Sequence, residues 1–301
     1  MKDLKVYVNE FMEYKLSEGR DVEKTIGRYI VYINEAFEYL NIKTLEDLNS
    51  IKYPTIKINW VNKKIEEGLS NASMNLRITS VQSFAKFMND MEYISNNSFD
   101  KIKKLKAKAK KIEVDEDKII KMLKLVDEDY RKNPSYKTCR DRYMLYMLIF
   151  CGLRNGEIRS LKLDSISLDA NFKVTWKYSK TREVSLPSKL IKMHQDYMGW
   201  RAAIKGNSNY LFVSNHGNSL DQNVCNRLVK KYSEMVGLQS WTAHSTRKAC
   251  VTTLIDSGIP VEAVASIVGH VDYKTTLKSY YQQDKKVIKE DINKNKLLEI
   301  I

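Results

Sequence analysis

Cysteine is scarce in this chain of 301 residues: Cys139, Cys151, Cys225 and Cys250 stand at unrelated spacings, with no C-x-x-C pair. That pattern excludes a zinc knuckle and offers no disulfide framework, so the four read as reduced core thiols of an intracellular protein. Long apolar runs are missing as well. The amino-terminal stretch MKDLKVYVNEFMEYK alternates charged with apolar residues, which excludes a membrane span and a secretory signal, and a cytoplasmic protein is expected. No P-loop, D-D-E arrangement or EF-hand loop stands out, and neither a cofactor nor a metal ion is expected. Apart from one lysine-rich stretch, no repeat or low-complexity tract interrupts the chain.

What is abundant is positive charge. Fifty-one Lys and Arg against 37 Asp and Glu leave a formal net charge of +14, which favours a polyanionic partner because cations that neutralise phosphates release condensed counterions. Nucleic acid is the first candidate, although a solvated lysine-rich surface would give the same count. At 43% hydrophobic residues, the chain is long enough for two domains, each with its own core.

The apolar pattern divides it accordingly. Residues 1–100 read as helices throughout: one stripe at Val6, Val8, Phe11, Met12 and Leu16, and a second at Ile26, Tyr29, Ile30, Ile33, Phe37 and Leu40. A third, capped by Ser70, runs from Met74 through Ile78, Val81, Phe84, Phe87 and Met88 to Met91. Between them Thr44 caps a short segment at 45–48, and Tyr53-Pro54 opens a helix carrying Ile56, Trp60, Val61 and Ile65. A compact helical bundle accounts for these stripes. Residues 101–114 switch from a lysine run to acids around Asp115 and read as a basic interdomain linker, with Lys101, Lys103, Lys104, Lys106, Lys108 and Lys110 as candidate contacts to a DNA backbone.

From residue 115 to 301 the pattern is mixed. Asp115 caps a helix bearing Ile119, Ile120, Leu123 and Val126, and an apolar helix over 143–150 stops at Gly152. Residues 172–178 alternate, 179–181 turn, and 182–186 alternate again before Pro187, the signature of a β-hairpin. Further helices are expected near 190–200, 224–236, 244–257 and 261–268, with an apolar tail helix from about 284. The fold class is therefore mainly α with a small antiparallel β-sheet in the second domain, an α+β arrangement.

The chemistry-bearing residues fall in that second domain. Arg154, in GLRNGEIRSL, follows a helix end and a glycine, with Glu157 three residues on. Lys180 sits in the expected hairpin turn, and Lys177 is its nearest rival. His244 and Arg247 form an H-x-x-R box whose three-residue step shares one helix face. His270 closes Val268-Gly269-His270, and Tyr280 ends Thr276-Leu277-Lys278-Ser279-Tyr280, with Tyr281 next to it. Arginines offer planar forks to non-bridging phosphate oxygens, histidines donate hydrogen bonds or move protons near neutrality, and a phenol can attack phosphorus if a cationic field activates it.

In this order and with these contexts the set resembles the tyrosine recombinases, the family of phage integrases and Xer-type resolvases. The resemblance is carried by motifs in the catalytic half and by architecture in the first half. It departs from the family where Ser245, Thr246 and Lys248 stand in place of Asp-Leu and a histidine, and where Val268 replaces leucine. It implies a helical core-binding domain and a catalytic domain clamped around duplex DNA. Arg154, Arg247 and His270 would hold the scissile phosphate, with His244 in the same catalytic set and Glu157 supporting them. Tyr280 would attack to form a 3′-phosphotyrosyl link while Lys180 protonates the leaving 5′ oxygen. It also implies a homo-oligomer, a tetramer on two DNA sites linked through the tail, with accessory proteins in some systems; the sequence offers no sign of the extra amino-terminal arm-binding module of some integrases, and a simple two-domain enzyme is expected. A regulator that binds DNA without cutting it is the alternative.

Overall fold

The computed structural model describes residues 4–18, 23–107, 112–166, 171–175, 181–206 and 208–269. The chain divides into two units, Met1–Lys110 and Lys111–Ile301.

The first unit is built of helices α1 (Leu4–Ser17), α2 (Glu23–Leu40), α3 (Leu45–Ser50), α4 (Tyr53–Ile56), α5 (Lys63–Glu66) and α6 (Asn71–Asp90), with a π-helical stretch, Lys57–Asn62, joining α4 to α5. The expected caps are present: the Thr44 hydroxyl accepts from the Asp47 amide at 3.1 Å, and that of Ser70 from Ser73 at 3.2 Å. Helix α6 supplies the largest single share of the core, burying Met74, Ile78, Val81, Phe84, Phe87 and Met88 against α1 and α2. Phe11 and Phe84 meet edge to face with ring centres 5.5 Å apart.

Two details differ from the sequence pattern. On α1 the buried face is Leu4, Tyr7, Val8 and Phe11, leaving Val6 and Leu16 exposed; steps of three and four residues from Leu4 follow the 3.6-residue repeat, and Val6 falls off that stripe. Met91 is exposed because α6 ends at Asp90, one residue earlier.

Part of the expected linker is fastened to this first unit. Ile102 is buried in its core. The Asn75 amide pairs with the Leu105 backbone in both directions, accepting from its N–H and donating to its carbonyl at 2.8 Å each. Asn71 donates to Lys106 O and Gln82 to both Phe99 O and Ile102 O. Side-chain amides here do the work of a neighbouring strand. Lys101, Lys103, Lys104 and Lys106 are left exposed along this docked stretch, while Lys108 and Lys110 lie outside the described residues.

The second unit is organised around one buried helix. Its elements are α7 (Glu116–Lys132), α8 (Tyr136–Phe150), α9 (Asn155–Ser160), β1 (Asn171–Thr175), β2 (Thr181–Ser185), α10 (Ser188–Ala202), α11 (Val224–Met235), α12 (Ala243–Asp256) and α13 (Val261–Val268). Helix α8 buries Cys139, Tyr143, Met144, Leu145, Met147 and Leu148, and α7, α10, α11 and α12 pack against it. All four cysteines are free and buried. Strands β1 and β2 pair antiparallel, Val174 opposite Arg182 and Phe172 opposite Val184. Thr181, expected in the turn, pairs with Thr175 as the first residue of β2; residues 176–180, with Lys177 and Lys180, lie outside the described residues. No helix among the described residues is long and apolar enough to cross a membrane.

Helix α8 stops where a left-handed residue is needed. Gly152 adopts φ +56°, and a Cβ there would stand 3.1 Å from Cys250 Sγ and 3.2 Å from a Val268 methyl carbon. Glycine thus serves twice, turning the chain and letting α12 and α13 approach it closely. The turn delivers Leu153 to the core and Arg154 to the start of α9.

Candidate active site

Arg154 is the residue that caps the start of α9, and Glu157, at the third position of that helix, is almost fully buried. The Glu157 carboxylate accepts from the Arg154 backbone N–H at 2.8 Å and from Arg154 Nη1 at 2.6 Å. It accepts a third bond from Arg182 Nη2 at 3.0 Å, and Arg247 Nη1 stands 4.0 Å away. Burial alone would raise this carboxyl, but the Arg182 charge and the donors of Arg154 outweigh it and hold the pKa below the ordinary value. One ionised acid therefore sits beneath three guanidiniums.

Arg247 is 2% exposed, placed on α12 behind His244. Its Nη1 donates to Gly152 O at 2.7 Å and its Nη2 to Val268 O. Burial and the neighbouring Arg154 lower its pKa to about 9, which still leaves the guanidinium charged at neutral pH. The start of α12 is closed by Thr242 and Ser245: the Ser245 hydroxyl accepts from the Thr242 amide at 3.0 Å, and Thr242 Oγ1 accepts from the His244 amide at 3.3 Å. Ser245 and Thr246, which depart from the family pattern, are fully buried; Thr246 returns its hydroxyl to Ala243 O.

His244 is exposed on the first turn of this helix. Its pKa is lowered, first by partial desolvation and then by the charges of Arg247, Arg154 and Lys248, so the imidazole is neutral at pH 7 and able both to donate and to accept.

These residues share a cavity of about 400 Å³ lined by Arg154, Asn155, Gly156, Asn226, Thr242, Ala243, His244 and Arg247. No carboxylate is among the lining residues, because Glu157 lies below them. Two guanidiniums and the amino-terminal end of α12 give the cavity a positive potential suited to an anion with planar, bidentate geometry. Asn155 Oδ1 is buried there without a partner among the described residues.

Of the residues expected from the sequence, Arg154, Glu157, His244 and Arg247 are brought together, although 93 residues separate Arg154 from Arg247 in the chain. Lys180, His270, Tyr280 and the rival Tyr281 lie outside the described residues, as does the tail from about 284. Among the described residues no group of three or more His, Cys, Asp or Glu could hold a metal ion.

Arg182 was not expected at the site. Arg182 alternates with Val184 and with Leu186 just past the strand end, and both of these are buried; period-two geometry puts an arginine on the apolar face, where it needs a partner. That was the available signal. Asn226, which accepts from the Ala243 amide at 3.1 Å and so steadies the start of α12, carried none.

Replacing Glu157 by glutamine should cost about 3–5 kcal/mol of stability, the range for breaking a buried ion pair and leaving its cations uncompensated. Because the folded-state pKa of Glu157 is depressed, its contribution is present above the ordinary glutamate range and is lost as pH falls through the folded-state value. Denaturant melts of the two proteins should therefore differ most near neutrality and converge in acid; a constant gap at every pH would mean the charge is not what matters.

The chain matches the description "Phage integrase family" over residues 113–286 and "Phage integrase, N-terminal SAM-like domain" over residues 8–90. It is 28% identical to the tyrosine recombinase XerA of Pyrococcus horikoshii, covering 100% of this chain and 99% of that one. It is 26% identical to the tyrosine recombinase XerD of Staphylococcus haemolyticus, over 91% and 92% of the two chains. Its fold is shared with a lambda integrase dimer bound to a COC′ core site, at TM-score 0.74 and 16% identity over 94% of this chain and 97% of that one. The XerH site-specific recombinase in a post-cleavage complex with a palindromic difH substrate gives TM-score 0.73 and 17% identity over 96% and 94%. With the first of these matches spanning more than half its length, the chain belongs to the phage integrase family.

Proposed function

We propose that this protein is a site-specific DNA recombinase that cuts and rejoins strands through a 3′-phosphotyrosyl intermediate, serving integration, excision or resolution. The observation that carries the reading is the carboxylate-free cavity in which Arg154, Arg247 and His244 converge above the ionised Glu157, in a member of a family whose relatives are named tyrosine recombinases.

Each terminal guanidinium nitrogen carries two hydrogens, so Arg154 and Arg247 can keep their structural acceptors and still present N–H groups to the non-bridging oxygens of a phosphodiester. His244 and His270 add donors. Charge developing on the equatorial oxygens is met by donors already in place, the condition under which such groups lower a barrier. Tyr280 then attacks in line: its phenolic proton passes to the neutral imidazole of His244, its oxygen bonds to phosphorus, the bond to the 5′ oxygen breaks, and Lys180 gives that oxygen a proton. One phosphoester replaces another. A 5′ hydroxyl from a second strand can reverse the step, so the cycle needs neither ATP nor a metal ion.

Duplex DNA is the partner, and two recombining sites imply a tetramer joined through the apolar tail from about 284; accessory proteins and a cytoplasmic setting fit the same reading. Lys101, Lys103, Lys104 and Lys106, exposed on a stretch held to α6, are suited to backbone contact, with Lys108 and Lys110 continuing the series.

Tyr280→Phe should abolish a covalent protein–DNA adduct on a nicked substrate carrying the native site while leaving noncovalent binding intact, since only the attacking oxygen is removed. Tyr281→Phe should retain the adduct; the reverse pattern would move the nucleophile to Tyr281. No adduct from wild-type protein on a verified site would leave a DNA-binding regulator as the better account.

Replacing Lys103, Lys104 and Lys106 by alanine together should weaken binding to all sequences alike. The slope of log K against log salt should flatten by about 0.9 for each phosphate that is no longer neutralised. An unchanged slope would make these lysines ordinary solvated charges.

A further inference from the structure

Three successive carbonyls at the end of α13 accept from three different arginines. Ile267 O takes Arg182 Nη1, Val268 O takes Arg247 Nη2, and Gly269 O takes Arg154 Nη2 at 3.0 Å. Those same three guanidiniums face Glu157. The last carbonyls of a helix have no intrahelical donor and carry its negative partial charge, so cationic forks are the natural groups to close it. Gly269 ends the helix at φ +67°, and a Cβ there would run into the Arg182 side chain. The glycine leaves room for that arm to pass.

The three arginines are not equivalent. Arg154 and Arg247 line the cavity and, in the proposed reaction, must turn N–H groups to the phosphate. Arg182 does not line it. Its side chain is 12% exposed, committed to Glu157 at one terminal nitrogen and to Ile267 O at the other. It is the member of the cluster whose two contacts lie away from the cavity, so ligand engagement by the other two leaves it undisturbed.

We infer that Arg182 is a positioning residue: by tying Glu157 to the last turn of α13 it fixes the point from which the chain leaves for His270 and Tyr280. The clasp stands on the hydrogen bonds around Glu157 and α13, whereas its consequence for strand cleavage rests on the recombinase reading. Displacing a reacting group by about 1 Å costs on the order of a hundredfold in rate, so a loosened exit from α13 should affect the chemical step more than DNA affinity.

The test compares wild type with Arg182→Lys, which keeps the charge but loses the planar fork, and Arg182→Gln, which keeps one neutral donor. Hydrogen exchange is read over residues 261–269 and over α8, alongside adduct formation at saturating nicked substrate. In both variants exchange over 261–269 should speed by roughly tenfold or more with α8 unchanged. The adduct rate should fall roughly 10–100-fold while Kd stays within about threefold. Unchanged exchange over 261–269 overturns the clasp, and so does acceleration spread evenly over α8, which would mark a general loss of stability. A parallel loss of binding and cleavage overturns the positioning role in favour of DNA anchoring. Wild-type protein that forms no adduct on its verified site defeats the recombinase reading instead, and the exchange arm then decides the clasp alone.

Discussion

A single buried carboxylate organises the second unit of this protein. Glu157 caps the start of α9 through the Arg154 amide, receives Arg154 and Arg182 directly, and stands 4.0 Å from Arg247. Without it, guanidiniums from a loop, a strand and a helix would be gathered in a poorly solvated pocket with nothing to offset their repulsion. With it, positive charge is concentrated above a fixed counter-charge and turned toward one cavity. The three residues are far apart in sequence, so the cluster exists only once α8, α12, α13 and the hairpin have packed.

Arginine is required here for geometric reasons. Each guanidinium serves at least two acceptors in different directions, Glu157 and a carbonyl of α13 for Arg154 and Arg182, and the carbonyls of Gly152 and Val268 for Arg247. An ammonium group would have the charge without the rigid fork. The same economy of geometry explains the glycines at the site. Gly152 and Gly269 both take positive φ, and both stand where a Cβ would meet another element, Cys250 and Val268 in one case and Arg182 in the other. The guanidinium donors are thereby held in place by the fold itself, the condition under which such groups would have value in the proposed reaction.

The helical architecture, its caps and the hairpin were legible because each rests on local rules: a hydroxyl before an apolar period, a glycine after one, alternation on either side of a turn. The Arg154, His244 and Arg247 contexts were legible through resemblance. What escaped was what depends on tertiary contact. The lysine-rich stretch looks like a linker by composition, yet Asn71, Asn75 and Gln82 reach out from α6 to fasten it as far as Lys106, and no linear pattern announces that. Val6 and Leu16 looked like core because they are apolar, whereas the helix turned Leu4 and Tyr7 inward instead. Arg182 was readable in principle, as a charge on the buried face of a strand, but its two partners lie 25 and 85 residues away.

If Glu157 is the ionised centre of the arginine cluster, its own titration should show it. Carbon-13 NMR of the side-chain carboxyl, identified by the signal missing from Glu157→Gln, measures the protonation state directly in the intact chain. The account requires that this carboxyl remain ionised below the ordinary glutamate range while the fold persists. A midpoint at or above the ordinary value would contradict it, for then burial would outweigh the three guanidiniums and the carboxylate could not be what gathers them.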